Sequence, residues 1–222
     1  MNASLKKIST SATSFRKLIN EDYVYVDKTG LLRELLEGSS RNMFLSRPRR
    51  FGKSLLLDTI LEIFSGDQDL FKGLQIEQSG YDFPKYPVLK MDMSLFSASP
   101  EELKLSLMTM LKDLAKKENL ILDSPLPGSA LKELIEKTRD VYNKDVVVLI
   151  DEYDYPVSSK IDNKSLAKGN SAILVDFYAS LKSANGLLRF ALLTGATRYA
   201  MMGISSGLNN LTDITFDKKY AA

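Results

Sequence analysis

Short apolar segments alternate with amphipathic segments along this chain of 222 residues, and the alternation predicts an α/β fold. The expected strands are the apolar runs 42–46, 88–93, 146–150 and 188–194. Residues 146–150 are continuously apolar, which is typical of a parallel strand that is covered on both faces. Because helical patterns separate the strands, we expect a three-layer structure with a parallel sheet between helices.

Helix signals fill the intervals between the predicted strands. Ser99 followed by Pro100 is a strong helix start, since proline is favoured at the first helical position. Thr29 is expected to cap a helix that Gly38 ends. The predicted helices are 30–37, 53–65, 100–118, 129–142 and 171–184. We expect the polar residues 157–170 to form a loop, and residues 15–19 to form a short amphipathic turn.

Composition excludes several kinds of chemistry. Hydrophobic residues make up 44% and charged residues 26% of the chain, ordinary values for a globular protein with a real core. The chain has no cysteine and no histidine, which excludes disulfides, thiolate chemistry, histidine metal sites and Ser-His-Asp triads. A general base must therefore be a carboxylate, a lysine or a tyrosine. The net charge of +2 gives no global argument for nucleic-acid binding.

The chain is expected to form one domain over residues 1–222. Residues 1–14 are predicted to be a flexible arm, and residues 200–222 the start of a linker to a further region. No apolar run approaches the length of a membrane span, and the N-terminus lacks the apolar core of a signal peptide. We therefore expect a cytoplasmic protein without membrane contact.

The most informative segment follows the first predicted strand and has the sequence Arg47-Pro48-Arg49-Arg50-Phe51-Gly52-Lys53-Ser54. A strand, a loop ending in Gly-Lys-Ser and a helix form the P-loop arrangement, in which N–H groups and the helix N-terminus surround a polyphosphate. Lys53 is expected to contact the β- and γ-phosphates of ATP, and Ser54 to bind Mg²⁺. Arg47 departs from the motif because it replaces the first glycine. The alternative is a chance Gly-Lys-Ser at a solvated helix start.

The predicted nucleotide contacts comprise the loop, the first turn of its helix and one later residue. They are Arg47, Pro48, Arg49, Arg50, Phe51, Gly52, Lys53, Ser54, Leu55 and Thr194. Four arginines crowd this region, and we expect the cluster to face phosphate because it lies within the motif. These are Arg41, Arg47, Arg49 and Arg50. A solvated basic loop is the alternative.

Two acidic residues end the apolar strand 146–150, as in a Walker B motif. Asp151 is predicted to bind Mg²⁺ directly or through water. Glu152 is predicted to orient and deprotonate the attacking water, which makes it the general base in a chain without histidine. Asp154 has two interpretations, a carboxylate behind the site or, the favoured one, a surface turn residue. The structural alternative for the pair is a solvated turn.

The last predicted strand ends in Thr194-Gly195-Ala196-Thr197-Arg198. In additional-strand P-loop enzymes a polar residue at this place senses the γ-phosphate, so Thr194 or Thr197 is a candidate for that role. Arg198 is a candidate catalytic residue because a guanidinium can contact phosphate. We predict the sheet order 42–46, 188–194, 146–150, 88–93, since the later strand of such enzymes inserts between the P-loop strand and the Walker B strand.

Several segments together resemble the predicted AAA-ATPase-like domain of bacterial proteins. They are residues 23–29, 44–55, 70–74, 86–88, 149–154 and 206–211, and the Arg-Pro-Arg-Arg-Phe-Gly-Lys-Ser block is the most specific of them. In that family arginine is usual at the first-glycine position. The resemblance implies a P-loop NTPase fold and nucleotide binding. Longer members continue into a nuclease-like domain of the PD-(D/E)XK type, which makes such a domain a candidate partner.

Three functions remain open from the sequence. The first is a Mg²⁺-dependent ATPase that hydrolyses the β–γ bond and regulates or powers an attached or partner domain. The second is a nucleotide-gated interaction module that binds ATP and barely turns it over. The third is a DNA-associated module serving a nuclease, against which the near-neutral charge argues. Self-association into a homo-oligomer is a further open alternative.

Overall fold

Five parallel strands form the centre of the molecule in the computed structural model, which describes residues 6–9, 14–96, 98–197 and 211–220. The strands are β1 (Asn42–Ser46), β2 (Val88–Asp92), β3 (Val146–Asp151), β4 (Leu188–Gly195) and β5 (Thr212–Asp213). Their order across the sheet is β2-β3-β4-β1-β5. The predicted α/β class, the four predicted strands and their order are confirmed. The two-residue β5 was not predicted from the sequence.

β4 lies between the strand before the P-loop and the strand that carries the acidic pair. Leu193 is the register partner of Phe44 in β1 and of Ile150 in β3. β1 and β3 are therefore separated by one strand, as the additional-strand arrangement requires. Because all strands run in the same direction, their carboxyl ends meet at one edge of the sheet.

Helices cover both faces of the sheet. They are α1 (Phe15–Asn20), α2 (Thr29–Glu37), α3 (Lys53–Ser65), α4 (Gln75–Gln78), α5 (Pro100–Lys117), α6 (Pro127–Tyr142), α7 (Tyr155–Ser158) and α8 (Lys164–Ser183). Alternate residues of β3 enter two separate cores: Val148 packs with α5, α6 and α8, and Val147 packs with α1, α2 and α3. The continuous apolar run of β3 therefore supplies both cores, as a strand covered on two faces must.

Two sequence-based helix assignments were wrong. α8 begins at Lys164 and not at 171, because Asn163 caps it by accepting a hydrogen bond from the Leu166 N–H. Its first two turns are mostly polar, and a polar composition is also typical of loops. Thr29 is the first helical residue and not the cap of α2. Its N–H donates 2.8 Å to Oδ1 of Asp27, so the capping carboxylate lies two residues earlier.

Asp27 fixes the N-terminal ends of two helices at once. Its Oδ1 accepts from the N–H and the hydroxyl of Thr29, and its Oδ2 accepts from the N–H of Gln75 at 2.7 Å. Thr29 is fully buried, and its hydroxyl oxygen accepts from the N–H of Ile76 at 3.0 Å. A carboxylate at helix N-termini satisfies unpaired N–H groups and complements both helix dipoles. Asp27 thereby joins α2 to α4.

The predicted arm and linker lie partly within the described residues. In the arm, the Lys7 carbonyl accepts a hydrogen bond from the Val24 N–H at 2.8 Å. Residues 211–220 pack beside β1, where the Ile214 N–H donates 3.0 Å to the Phe44 carbonyl. In the described part of the chain, no helix combines the length and the apolar character that crossing a membrane requires.

We predict that Asp27→Ala lowers the free energy of unfolding by about 2–3 kcal/mol, because two helix N-termini lose a charged acceptor. Urea denaturation followed by circular dichroism measures the change. Lys28→Ala is the matched control, since this neighbouring side chain is exposed and makes no capping hydrogen bond. Equal stability of the two variants would contradict the role assigned to Asp27.

Candidate functional site: the phosphate loop and the acidic strand end

The loop between β1 and α3 has the backbone of an anion-binding turn. Gly52 precedes α3 with φ at 77°, and its carbonyl accepts the first helical hydrogen bond, from Leu56 at 2.8 Å. Arg50 also lies in the left-handed region, with φ at 68°. Alternating right- and left-handed residues ahead of a helix turn successive N–H groups toward one side. The first N–H groups of α3 therefore lie where a phosphate can receive them.

Lys53 lies almost completely out of solvent, with 5% of its surface exposed. Its Nζ is 3.2 Å from the Pro48 carbonyl oxygen and 3.3 Å from Oε1 of Glu152. The first contact holds the ammonium inside its own loop, and the second joins the loop to the end of β3. The predicted phosphate-binding lysine and the predicted general base are thus in direct contact.

The end of β3 presents its two acidic residues differently. Asp151 is 5% exposed, and its Oδ1 accepts from the Thr194 hydroxyl at 2.7 Å and from the Glu152 N–H at 3.0 Å. Glu152 has φ at 51°, a left-handed conformation that costs a non-glycine residue roughly 1–2 kcal/mol. Strained backbone of this kind concentrates at functional sites.

A cavity of about 330 Å³ lies between the loop and the acidic strand end. It is lined by Arg49, Ser54, Asp92, Ser94, Asp151, Glu152 and Tyr155. Asp92, Ser94 and Tyr155 were not predicted as site residues. The position of Asp92 at the carboxyl end of a predicted strand was the available signal, because ligands of parallel sheets bind at that edge.

A larger cavity of about 580 Å³ lies between α6 and α8, with Lys104 of α5 also in its wall. None of the predicted nucleotide residues lines it. The smaller cavity, in contrast, adjoins the anion-binding turn and the strand-end carboxylates, and Glu152 in its wall contacts the buried Lys53.

Some of the predicted nucleotide residues lie elsewhere. The Arg47 guanidinium donates to the Thr215 carbonyl and, at 3.0 Å, to the Tyr220 carbonyl, so this side chain does not face the cavity. Arg50 is exposed, and Phe51 has 67% of its surface in solvent. Leu55 packs against the core below α3. Arg198 lies outside the described residues.

Thr194 and Thr197 are both engaged by carboxylates. Thr194 is fully buried and donates to Asp151, so it reaches the cavity through that carboxylate. The Thr197 hydroxyl donates to Oδ2 of Asp154 at 2.6 Å. The structure therefore places each candidate sensor against an acidic residue of the β3 end.

The interpretation of Asp154 as a surface turn residue is wrong. The residue is 1% exposed and accepts from the N–H groups of Ala196 and Thr197 at 3.2 and 2.9 Å. The fully buried Tyr153 also contacts this segment, because its hydroxyl donates 2.8 Å to the Thr197 carbonyl. Two consecutive residues after the acidic pair therefore hold the chain that leaves β4.

Tyr178 of α8 supports this arrangement from below. Burial raises the pKa of Tyr178 well above its usual value, so its hydroxyl stays protonated. The hydroxyl donates 3.0 Å to the Tyr153 carbonyl. The backbone beside the acidic pair is thus fixed by a buried hydrogen bond.

The cavity residues fit a nucleotide and a hard divalent cation. Ser54 and Asp151 offer the oxygen ligands that Mg²⁺ prefers, and Lys53 with the start of α3 offers positive charge to phosphate. Among the described residues, no group of three acidic side chains is arranged to hold a metal ion by itself. A cation at this site would therefore bind together with phosphate oxygens, as Mg²⁺ commonly does.

Sequence comparison identifies relatives of the whole chain. A family profile described as "Predicted AAA-ATPase" matches residues 9–205. An uncharacterized protein of Azotobacter chroococcum mcd 1, from the vnfD 5' region, is 34% identical over 229 residues. That alignment covers 99% of this chain and 43% of the relative, so the chain spans less than half of the relative's length.

The solved structures that align with this chain have lower sequence identity to it than the Azotobacter relative. The Aeropyrum pernix ORC2 protein, in its ADPNP-ADP complexes, aligns over 96% of this chain and 49% of its own, with 14% identity and a TM-score of 0.46. A chain of Drosophila ORC bound to poly(dA/dT) DNA and Cdc6 aligns over 91% of this chain and 28% of its own, with 14% identity and a TM-score of 0.41.

We predict that Gly195→Ala lowers the melting temperature by about 4–8 °C, equivalent to about 2 kcal/mol of overpacking. A Cβ at this position would lie 2.4 Å from Cδ1 of Tyr153 and 2.5 Å from Oδ1 of Asp154. Gly186→Ala is the matched control, because a Cβ there meets no atom within 4 Å. Thermal unfolding that is equal in the two variants would contradict the close packing at the β4 exit.

Proposed function

We propose that this chain, which belongs to the AAA-ATPase-like family of predicted AAA-ATPases, is an ATP-binding module. The module hydrolyses the β–γ bond of ATP with Mg²⁺. One observation carries the proposal. The buried Lys53 of the phosphate loop contacts Glu152, and the cavity beside this pair is lined by Ser54 and Asp151. These are the residue types that phosphoryl transfer requires, at the start of α3 and at the end of β3.

ATP binding rests on the loop and the start of α3. The triphosphate accepts hydrogen bonds from the first N–H groups of α3, and Lys53 turns its ammonium from Glu152 to the β- and γ-phosphates. Arg49, which lines the cavity, adds positive charge at its rim. The other loop arginines contribute less, because the Arg47 guanidinium is occupied by carbonyls and Arg50 is exposed.

Hydrolysis rests on Glu152. The oxygen of a water molecule attacks the γ-phosphorus, the bond from this phosphorus to the bridging oxygen breaks, and ADP and phosphate leave. Glu152, released from Lys53 by the phosphates, accepts the proton of the attacking water. Ser54 and Asp151 hold Mg²⁺, which when bound neutralises charge on the phosphate oxygens. Thr194 orients Asp151 through its hydrogen bond.

A second candidate function is a nucleotide-gated interaction module with little turnover. The ion pair between Lys53 and Glu152 favours it, because a carboxylate that stays in contact with the ammonium is not free to contact an attacking water. Phosphate release in a single turnover separates the two functions. The ATPase releases one phosphate per bound ATP, whereas the gated module retains ATP.

The module would act on a further domain or partner. The Azotobacter relative is more than twice as long as the aligned region, which supports an attached domain controlled by ATP. A DNA-associated role is less favoured because the chain has a net charge of +2. A salt-dependent mobility shift with duplex DNA tests that role.

We predict that Lys53→Ala weakens ATP binding at least tenfold, or about 1.4 kcal/mol, because a charge-assisted phosphate contact contributes roughly that much or more. Isothermal titration calorimetry with ATP and Mg²⁺ measures the change. Arg50→Ala is the comparison on the same loop and is expected to change the affinity by less than about threefold. Unchanged affinity in a folded Lys53→Ala protein would count against the P-loop assignment.

Substitutions of the two acidic residues are predicted to impair different steps, hydrolysis for Glu152 and Mg²⁺-dependent binding for Asp151. Glu152→Gln should retain ATP binding and lose about 10²–10⁴-fold in hydrolysis, since glutamine keeps the shape and cannot accept the proton. Asp151→Asn should lose Mg²⁺-dependent affinity because a negative charge facing the cation is removed. Single-turnover phosphate release and calorimetry with and without Mg²⁺ distinguish them. Wild-type protein that releases no phosphate would exclude the ATPase and favour the gated module.

A further inference from the structure

Asp92 places a third carboxylate at the carboxyl edge of the sheet. It ends β2 and is the register partner of Asp151 in β3. In-register residues of neighbouring parallel strands project to the same face, at strand spacings of about 4.8 Å. Both residues line the 330 Å³ cavity.

Asp92 is exposed to solvent, and its charge has fewer protein partners than the charges beside it. Glu152 faces the ammonium of Lys53, and Asp151 receives the Thr194 hydroxyl. Asp92 accepts from the N–H of Ser94 at 2.9 Å, and within the described ranges no lysine or arginine forms an ion pair with it. A triphosphate in this cavity would be repelled by such a carboxylate unless a cation lay between them.

We propose that Asp92 is a positioning residue for the divalent cation that accompanies ATP, acting on the metal's bound water beside Asp151. The proposal rests on the proposed function, since it concerns the same cavity. Mg²⁺ usually keeps several water ligands, and these donate hydrogen bonds to nearby carboxylates. The hydrogen bond from Ser94 holds Oδ1 of Asp92, and among the residues that the structure describes no donor holds Oδ2.

The substitution Asp92→Asn tests the charge and spares the local structure. Asparagine keeps an oxygen that can accept from the Ser94 N–H, so the turn after β2 retains its cap. We expect ATP affinity in Mg²⁺ to fall about fivefold, and affinity in EDTA to rise by a similar factor because a repulsive charge is removed. Calorimetry under both conditions gives the two values.

Asp113→Asn is the matched control for charge. Asp113 is exposed on α5 and does not line the cavity, so neither affinity should change. Equal behaviour of Asp92→Asn and the control would overturn the proposal and leave Asp92 as a turn cap. Wild-type protein that binds no ATP in either condition would overturn the proposed function itself, and this inference with it. The wild-type titration alone therefore distinguishes the two failures.

The hydrogen bonds of the Arg47 side chain support a second, independent inference. This residue replaces the first glycine of the P-loop motif, and the nucleotide role does not explain its side chain. Its guanidinium donates to the carbonyls of Thr215, Tyr220 and Ser46, the last at 3.1 Å. The neighbouring Ser46 N–H donates 3.0 Å to the Thr215 hydroxyl. The start of the phosphate loop thus holds residues 211–220, which we call the docked segment.

The docked segment also contacts the core and α2. Ile214 is 3% exposed and packs in the core below α3, and Lys219 forms an ion pair of 2.7 Å with Glu34. The Lys219 pair is half exposed and is worth little by itself. The Arg47 contacts are different, because one planar guanidinium joins carbonyls five residues apart, a geometry that a lysine ammonium cannot reproduce.

We infer that Arg47 couples the phosphate loop to the docked segment, so that nucleotide binding changes the stability of the segment's attachment. The path from the phosphate-binding residues to Arg47 is short and runs along the chain itself. Five residues separate Arg47 from Lys53, and the Arg47 N–H donates 3.1 Å to the Gly195 carbonyl at the end of β4. A loop that closes on phosphate therefore acts on the same residue that holds the segment.

Hydrogen exchange measured by mass spectrometry tests the attachment and the coupling separately. Without nucleotide, Arg47→Ala should speed exchange in residues 214–220 at least about fivefold, because the segment loses its hydrogen bonds to the guanidinium. Arg47→Lys should give an intermediate increase. Arg50→Ala, an exposed arginine of the same loop, should leave exchange of the segment unchanged.

In wild-type protein, ATP with Mg²⁺ should change exchange in residues 214–220, and Arg47→Ala should abolish this response. Unaltered exchange in Arg47→Ala without nucleotide would overturn the attachment. A nucleotide response of the segment that persists in Arg47→Ala, or its absence in wild-type protein that calorimetry shows to bind ATP, would overturn the coupling. Failure of wild type to bind ATP would instead overturn the proposed function and the coupling together.

Discussion

The ammonium of Lys53 lies out of solvent, and a buried cation is stable only where negative charge or oxygen atoms replace its water. In the described structure the Pro48 carbonyl and the Glu152 carboxylate fill that role. Removal of either partner would leave a charge poorly satisfied. In the proposed ATPase, a phosphate that enters the cavity would replace Glu152 as the partner of the Lys53 ammonium and would release the carboxylate. The same electrostatic requirement would then link ATP binding to release of the proposed general base.

The parallel sheet brings the residues around the cavity together. Ser46, Asp92, Asp151 and Gly195 are all strand-terminal residues, and the common strand direction brings them to one edge. The β4 exit is then fixed by Tyr153 and Asp154, which contact residues 196 and 197. Side chains from distant parts of the chain are therefore positioned by regular backbone structure, and the loops between them need to supply little of the precision.

The strands, their order and the meeting of the phosphate loop with the acidic strand end at one edge were predictable, because hydrophobic runs and a local motif encode them. The remaining features depend on contacts between distant residues. Asp154 has the polarity of a surface turn, and its burial follows from the N–H groups of residues 196 and 197. The orientation of Arg47 depends on residues 215 and 220, and α8 begins at a single capping asparagine. Composition carries no signal for such pairings, whereas Asp92 was accessible from strand topology.

The position of β4 also sets the order of events during synthesis. Asn42 of β1 pairs with Ala191 of β4. Most of the chain must therefore be synthesised before β1 can pair with β4. At ordinary rates of translation this interval is roughly seven to thirty seconds. Contacts closer in sequence are available much sooner. Phe15 stacks on Phe71 at 4.8 Å, and its N–H donates 2.7 Å to Asp58 of α3. The contacts of α1 with α3 and with Phe71 can therefore form before β1 has its β4 partner.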